Sequence, residues 1–74
     1  MIFHERLKEL RQEKNLTHKQ LAEGIGFSKA IIGFWESCKY EPTGKALIAL
    51  SKFFNVTTDY LLGLENEDGT RARL

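Results

Sequence analysis

The sequence predicts an all-α fold, a compact arrangement of five short helices in a single domain. Apolar residues recur at helical spacing, and four segments begin with a Ser or Thr that can cap a helix. No four-residue window alternates cleanly between apolar and polar residues, as a half-buried strand would. With 74 residues, the chain lies near the lower size limit for folding on one core.

The first predicted helix spans residues 3–14. Phe3, Leu7 and Leu10 recur at i, i+4 and i+7, which is typical of the buried stripe of an amphipathic helix. The charged residues between them, Arg6 included, are expected to face solvent.

The second helix has a marked start and a marked end. Thr17 and Gln20 fit a capping box, and Leu16 and Leu21 fall at the two positions of a hydrophobic staple. Gly26 ends the helix at a position suited to a left-handed C-cap.

The other three helices are predicted in the same way. The third begins after Ser28 and ends near Ser37, the fourth begins after Thr43, and the fifth begins after Thr57 and stops at Gly63. Apolar residues at the spacing of a staple or of a helical stripe support them: Phe27, Ile32, Leu47, Leu50, Phe54, Val56 and Leu61.

The connection between helices 2 and 3, residues 24–27, is too short for two helices to lie antiparallel with long overlap. A tight turn at Gly26 directs them across each other at a steep angle, which is helix-turn-helix geometry. Ala22 provides a small side chain where the helices cross. The apolar contacts that fix the angle are expected from Leu21, Ile25, Ile32 and Trp35.

Residues 16–36, LTHKQLAEGIGFSKAIIGFWE, resemble the helix-turn-helix of the lambda-repressor-like, Cro-type (XRE) DNA-binding family, and the similarity extends over residues 6–63. The resemblance implies a five-helix helix-turn-helix domain at residues 1–64, followed by a polar tail at residues 65–74. It also implies sequence-specific binding of double-stranded DNA, usually as a dimer on a palindromic operator, by a transcriptional regulator of repressor type.

Four residues on helix 3 match the family's base-contacting positions: Lys29, Ala30, Gly33 and Phe34. Lys29 can donate to guanine, and Ala30 and Phe34 can contact thymine methyl groups in the major groove. Gly33 lowers helix propensity by roughly 1 kcal/mol relative to alanine, a cost that close backbone approach to DNA would explain. Phosphate contacts are expected from the helix starts and the flanking loops, at Thr17, His18, Lys19, Ser28, Lys39 and Lys45.

The resemblance implies two further roles. Arg11 and Glu36 match residues that form a partly buried ion pair and hold helix 3 in place. Three apolar residues near the C-terminus are candidates for the dimer interface, with the intramolecular core as the alternative for the first two: Phe53, Tyr60 and Leu64.

Other classes of function fit the sequence less well. The net charge of +1 excludes a large basic field but not a local cationic face. One Cys and two His are too few for a structural zinc site, no cofactor motif appears, and no arrangement of catalytic residues supports an enzyme. No membrane span or secretory leader is found, so the cytoplasm is the expected location.

One alternative function stays open. Ile31 and Phe34, if both are exposed, would form an apolar surface that favours a protein-interaction, antitoxin or accessory module instead of a DNA-binding protein. Cys38 stands where the family often has glycine, so either helix 3 continues through it or Cys38 adopts a left-handed conformation.

Overall fold

The computed structural model describes residues 2–66 and 68–71 and confirms an all-helical fold with five helices. The C-terminal segment adds an isolated antiparallel bridge between Glu65 and Arg71. Among the described residues, no helix is both long enough and apolar enough to cross a bilayer. The helices are α1 (Ile2–Glu13), α2 (His18–Ile25), α3 (Lys29–Glu36), α4 (Gly44–Phe54) and α5 (Thr58–Leu62).

The helix boundaries follow the predicted caps. The capping box of α2 is complete, because the Gln20 amide donates to Thr17 Oγ1 at 3.1 Å and the Thr17 amide donates to Gln20 Oε1 at 2.8 Å. Gly26 has a φ of 77° and closes the helix with its amide bonded to the Ala22 carbonyl. Hydroxyl N-caps also begin α3, α4 and α5, so all four predicted helix starts are confirmed.

The hydrophobic core lies beneath the crossing of α2 and α3. Trp35 of α3 packs edge-on against Phe3 of α1, with ring centroids 6.3 Å apart, and against Phe27 of the turn at 5.5 Å. These contacts hold α3 against α1 as well as α2. The buried apolar residues are Phe3, Leu7, Leu21, Ala22, Ile32, Trp35, Ala46, Leu50, Phe54 and Leu61.

Arg6 is buried, so the prediction that it faces solvent is wrong. Only 9% of Arg6 is exposed, and its guanidinium donates to the carbonyl oxygens of Tyr60 and Glu65 and lies 4.1 Å from the Tyr60 ring centroid. Arg6 comes three residues after Phe3 and four before Leu10, which places it on the same face of α1. Its hydrogen bonds satisfy backbone carbonyls and attach Glu65, the first residue of the predicted tail, to the helices.

A close contact between α2 and α4 depends on Gly24. A Cβ atom at this position would lie 2.5 Å from Cε1 of Phe53, closer than real Cβ atoms approach other carbon atoms. The missing side chain therefore allows the Phe53 ring to pack directly on α2, while the same ring contacts Phe54 edge-on at 5.0 Å.

Helix α3 ends at Glu36, and Cys38 has a φ of 63°. Helix α3 therefore does not continue through Cys38, and Cys38 adopts the left-handed conformation. Since this region disfavours residues with a Cβ, the turn stores a modest amount of strain. The turn reverses the chain, so that the amide of Lys39 donates back to the Phe34 carbonyl at 2.9 Å.

Candidate nucleic-acid interface

The eight residues of α3 are divided between the core and the surface. Ile32 and Trp35 are buried and fix one side of the helix, while Lys29 and Ala30 at its N-terminal end are exposed. The Ser28 hydroxyl caps this end by accepting from the Ile31 amide at 3.3 Å. The N-terminal end of α3 is thus an exposed surface on a helix whose position the core determines.

Gly33 lies on the partly exposed side of α3, next to His18. A Cβ atom at Gly33 would lie 3.8 Å from His18 Nδ1, which is ordinary van der Waals contact, and its φ is not in the left-handed region. The packing of the described residues therefore does not require glycine at this position. No contact among them explains why the chain has a residue here that lowers helix propensity.

Phe34 and Ile31 are both half-buried, so the expected apolar surface is smaller than the sequence implied. Ile31 packs against the core. The Phe34 ring contacts the Tyr40 ring edge-on, with centroids 5.0 Å apart, and Lys39 Nζ lies 5.0 Å from the Phe34 centroid. Tyr40, at 52% exposure, is the exposed aromatic residue of this group.

Arg11 and Glu36 form the ion pair that the resemblance implies. Arg11 Nε donates to Glu36 Oε2 at 2.6 Å, its Nη2 donates to Oε1 at 2.9 Å, and its Nη1 donates to the Leu16 carbonyl at 2.7 Å. The two side chains are only 14% and 7% exposed. One guanidinium therefore connects α1, the segment before α2, and the C-terminal end of α3.

The same contacts determine the ionisation of Glu36. Burial by itself raises the pKa of the Glu36 carboxyl, because it removes the charge from water. The hydrogen bonds and positive charge of Arg11, together with His18, outweigh this effect and hold the pKa below the ordinary value. Glu36 is accordingly a carboxylate at neutral pH. The hydrogen bond to Glu36 in turn raises the pKa of Arg11.

His18 is a third member of this group, which the sequence did not reveal. Its Nε2 lies 3.3 Å from Glu36 Oε1, and 35% of its side chain stays exposed. The two residues are separated by eighteen positions, so no local spacing pattern links them. His18 is therefore both part of the Arg11–Glu36 group and accessible at the start of α2.

The N-terminal turns of α2, α3 and α4 carry lysine and lack acidic residues, whereas α1 and α5 have Glu5 and Asp59 there. A helix N-terminus is electropositive, and acidic residues normally compensate it. Three exposed lysines increase the positive charge at these ends: Lys19, Lys29 and Lys45. The capping box also leaves two amides of the first turn of α2 to bind an anion.

The remaining residues predicted to contact phosphates are also exposed. Thr17 and Ser28 are exposed N-caps, and Lys39 is exposed beside Phe34. Among the described residues, no group of three His, Cys, Asp or Glu side chains is placed to hold a metal ion. The candidates for a dimer interface are half-buried: Phe53 packs on Gly24, Tyr60 contacts Arg6, and Leu64 follows α5.

Comparison with known proteins supports the resemblance. A helix-turn-helix family model matches residues 7–61. The HTH-type transcriptional activator BcrR of Enterococcus faecalis is 49% identical over 65 residues, which are 88% of this chain and 32% of BcrR. Repressor protein C2 of Salmonella phage P22 is 36% identical over 61 residues, which are 82% of this chain and 28% of that protein. This chain therefore spans about a third or less of either relative.

A solved structure shows the same arrangement of helices. The P22 c2 repressor protein, crystallised in complex with a synthetic operator, has a TM-score of 0.78 and 33% sequence identity to this chain. The match covers 82% of this chain and 92% of the repressor chain. The family model, the relatives and the fold agree, and the chain belongs to the XRE-type helix-turn-helix family of DNA-binding transcription regulators.

Proposed function

We propose that this chain binds double-stranded DNA sequence-specifically as the DNA-binding part of a transcription regulator. The observation that carries the proposal is the exposed N-terminal end of α3, held by Trp35, Ile32 and Glu36. Lys19 and Lys45, at the N-termini of α2 and α4, lie in positions where a DNA phosphate would compensate their charge. A helix presented in this way fits the major groove.

In this proposal, Lys29 donates to a guanine, Ala30 and Phe34 contact thymine methyl groups, and Gly33 allows the helix backbone to approach the bases. The absence of any packing reason for glycine at Gly33 supports its assignment. Phosphates are bound at the start of α2 and along the loops on either side of α3. The residues proposed for these phosphate contacts are Thr17, His18, Lys19, Ser28, Lys39 and Lys45.

We further propose that two copies bind together on a palindromic operator. One copy of this size contacts few base pairs, and two copies with recognition helices about 34 Å apart contact successive major-groove segments. The proposed interface includes the apolar residues near α5: Phe53, Tyr60 and Leu64. We propose the cytoplasm as its location, because a regulator of this kind must reach the DNA that it binds. We propose that the regulator is a repressor. The relatives include a named activator and a named repressor, so a reporter assay is needed to distinguish repression from activation.

A protein-interaction module is the less favoured function. It required Ile31 and Phe34 to form an exposed apolar surface, and both residues are half-buried. The relatives are named transcription regulators, and one solved neighbour is an operator complex.

Titration of DNA at several salt concentrations tests the proposal. If Lys19, Lys39 and Lys45 each neutralise one phosphate, log Kobs falls with log salt with a slope of about −2.7 per copy and about −5.4 for two copies. Lys19→Ala is expected to make the slope less steep by about 1, whereas Lys8→Ala on the exposed face of α1 is expected to leave it unchanged. Absence of binding at low salt would refute DNA binding. Steep salt dependence without sequence preference would refute specific regulation.

A further inference from the structure

Three residues around the C-terminal half of α3 form a compact group, here called the Phe34 cluster: Phe34, Lys39 and Tyr40. The Tyr40 ring meets the Phe34 ring at 82° with centroids 5.0 Å apart. Lys39 Nζ lies 5.0 Å from the Phe34 centroid. The amides of both loop residues point to the Phe34 carbonyl, at 2.9 Å from Lys39 and 3.4 Å from Tyr40.

The turn after α3 has the same backbone hydrogen bond, from an amide to the carbonyl five residues earlier, as the turns after the other four helices, and here it brings two loop residues against Phe34. The left-handed turn at Cys38 reverses the chain directly after α3, although that conformation disfavours a residue with a Cβ. As a result, two loop residues contact the side chain of a helix residue that lies five and six positions earlier.

The cluster has no evident part in the hydrophobic core. Tyr40 is 52% exposed, and the ten apolar residues that are buried in the described part of the chain do not include any member of the cluster. A partly exposed Phe otherwise samples more than one rotamer, and a residue that recognises a small group must be held in one. An edge-on aromatic contact and a cation over the ring both favour one orientation of Phe34.

We propose that Tyr40 is a positioning residue that holds Phe34 in the orientation in which its ring contacts a thymine methyl group. The proposal rests on the proposed function, since it concerns how α3 discriminates bases. Tyr40 acts through its ring, and its hydroxyl is not required. The preference for thymine that Phe34 confers therefore depends on a residue outside the recognition helix.

The test uses a site selected from a random DNA pool, in which each thymine is replaced in turn by deoxyuridine. Burial of one methyl group is worth roughly 0.8 kcal/mol, so the replacement is expected to weaken binding by about fourfold where a methyl group is contacted. Phe34→Ala identifies the position that belongs to Phe34, because the thymine-to-uracil ratio there falls to about 1. This step separates the contact of Phe34 from that of Ala30.

Tyr40→Ala is expected to lower the same ratio from about 4 towards 1, and Tyr40→Phe is expected to retain it. Ile48→Ala provides the matched control, because Ile48 is an exposed apolar residue of α4 with 54% exposure. A purely structural role of Tyr40 would weaken binding to both DNAs equally and leave the ratio unchanged, which would overturn the proposal. Loss of the ratio in Tyr40→Phe would also overturn it, since the hydroxyl would then be essential.

A measurement without DNA provides a second test of whether Tyr40 holds the Phe34 ring. Three-bond couplings of the Phe34 side chain report one rotamer in the parent chain and averaged rotamers in Tyr40→Ala, if Tyr40 holds the ring. Unchanged couplings would refute positioning. If the parent chain binds no DNA, the proposed function fails. If it binds DNA and Phe34→Ala keeps the ratio, DNA binding stands, but the thymine contact assigned to Phe34 fails and the present inference fails with it.

Discussion

Replacement of Arg11 by alanine removes the guanidinium that holds Glu36. Three hydrogen bonds disappear, two to the carboxylate and one to the Leu16 carbonyl. The Glu36 side chain, 7% exposed, then has only His18 beside it, and burial raises the pKa of its carboxyl. An unpaired buried charge is far less favourable than the pair was, so the substitution is expected to destabilise the fold.

The magnitude follows from burial and chain length. Breaking a buried ion pair from one side costs about 3–5 kcal/mol, and the partial exposure of Arg11 places this pair near 3 kcal/mol. A chain of 74 residues has a total stability of about 4–11 kcal/mol. At about 4–8 °C per kcal/mol for a domain of this size, the melting temperature is expected to fall by about 12–24 °C.

Thermal and urea unfolding of Arg11→Ala, Glu36→Gln and the double variant test this prediction. The double variant is expected to be more stable than the sum of the single effects implies, by about 1–3 kcal/mol. Lys8→Ala, an exposed lysine on the same helix, is expected to change stability by less than about 0.5 kcal/mol. An Arg11→Ala melting curve that coincides with that of the parent chain would refute the energetic role of the pair.

Acid unfolding tests the same ion pair through the protonation of Glu36. Its pKa is lower in the folded chain than the ordinary value of 4.5, so the unfolded state binds the proton more readily. The resulting stabilisation is complete above about pH 4.5 and is lost as the pH falls through the lowered folded value. Glu36→Gln lacks this contribution, and its stability is expected to decline less between pH 5 and pH 3. Parallel declines in the two proteins would contradict the pairing.

Three further predictions concern single residues. Gly24→Ala is expected to cost about 1–3 kcal/mol in urea unfolding, because the new Cβ meets Phe53, whereas Gly44→Ala, with open space around it, is expected to be nearly neutral; equal effects would contradict the close contact. Cys38→Gly is expected to raise stability by about 0.5–1 kcal/mol by relieving the left-handed strain, and a loss of stability would argue against that strain. Lys29→Ala is expected to reduce discrimination at one base pair by about 1–3 kcal/mol, measured by binding to single-substitution sites; an equal loss on all sequences would remove its assignment.

Local features of the chain were predictable because their physics is local. A capping box, a staple and a left-handed glycine involve residues within five positions of one another, so the sequence shows both partners together. This explains why Thr17, Gln20 and Gly26 were assigned correctly. It also explains the correct fold class, since five short helices, four of them with hydroxyl N-caps, allow few arrangements.

Among the polar contacts between distant residues, the sequence predicted only the one that the resemblance provided. The Arg11–Glu36 pair came from the resemblance, while the contact of His18 with the same carboxylate did not. Arg6 was assigned to solvent because the pattern sorts residues by polarity, although its position on α1 matches the buried face. Arg6 can be both charged and buried because its guanidinium donates hydrogen bonds to backbone carbonyl oxygens.

In so short a helix as α3, stability and the proposed base contacts depend on the same residues. Ile32 and Trp35 belong to the core, yet they also determine where Lys29 and Ala30 project. Apolar packing alone tolerates small shifts of a helix. The Glu36 carboxylate, which accepts from two guanidinium nitrogens of Arg11, fixes both the position and the rotation of the C-terminal end of α3. A buried charge pair that contributes little net stability can therefore still determine the accuracy with which this helix would meet DNA in the proposed complex.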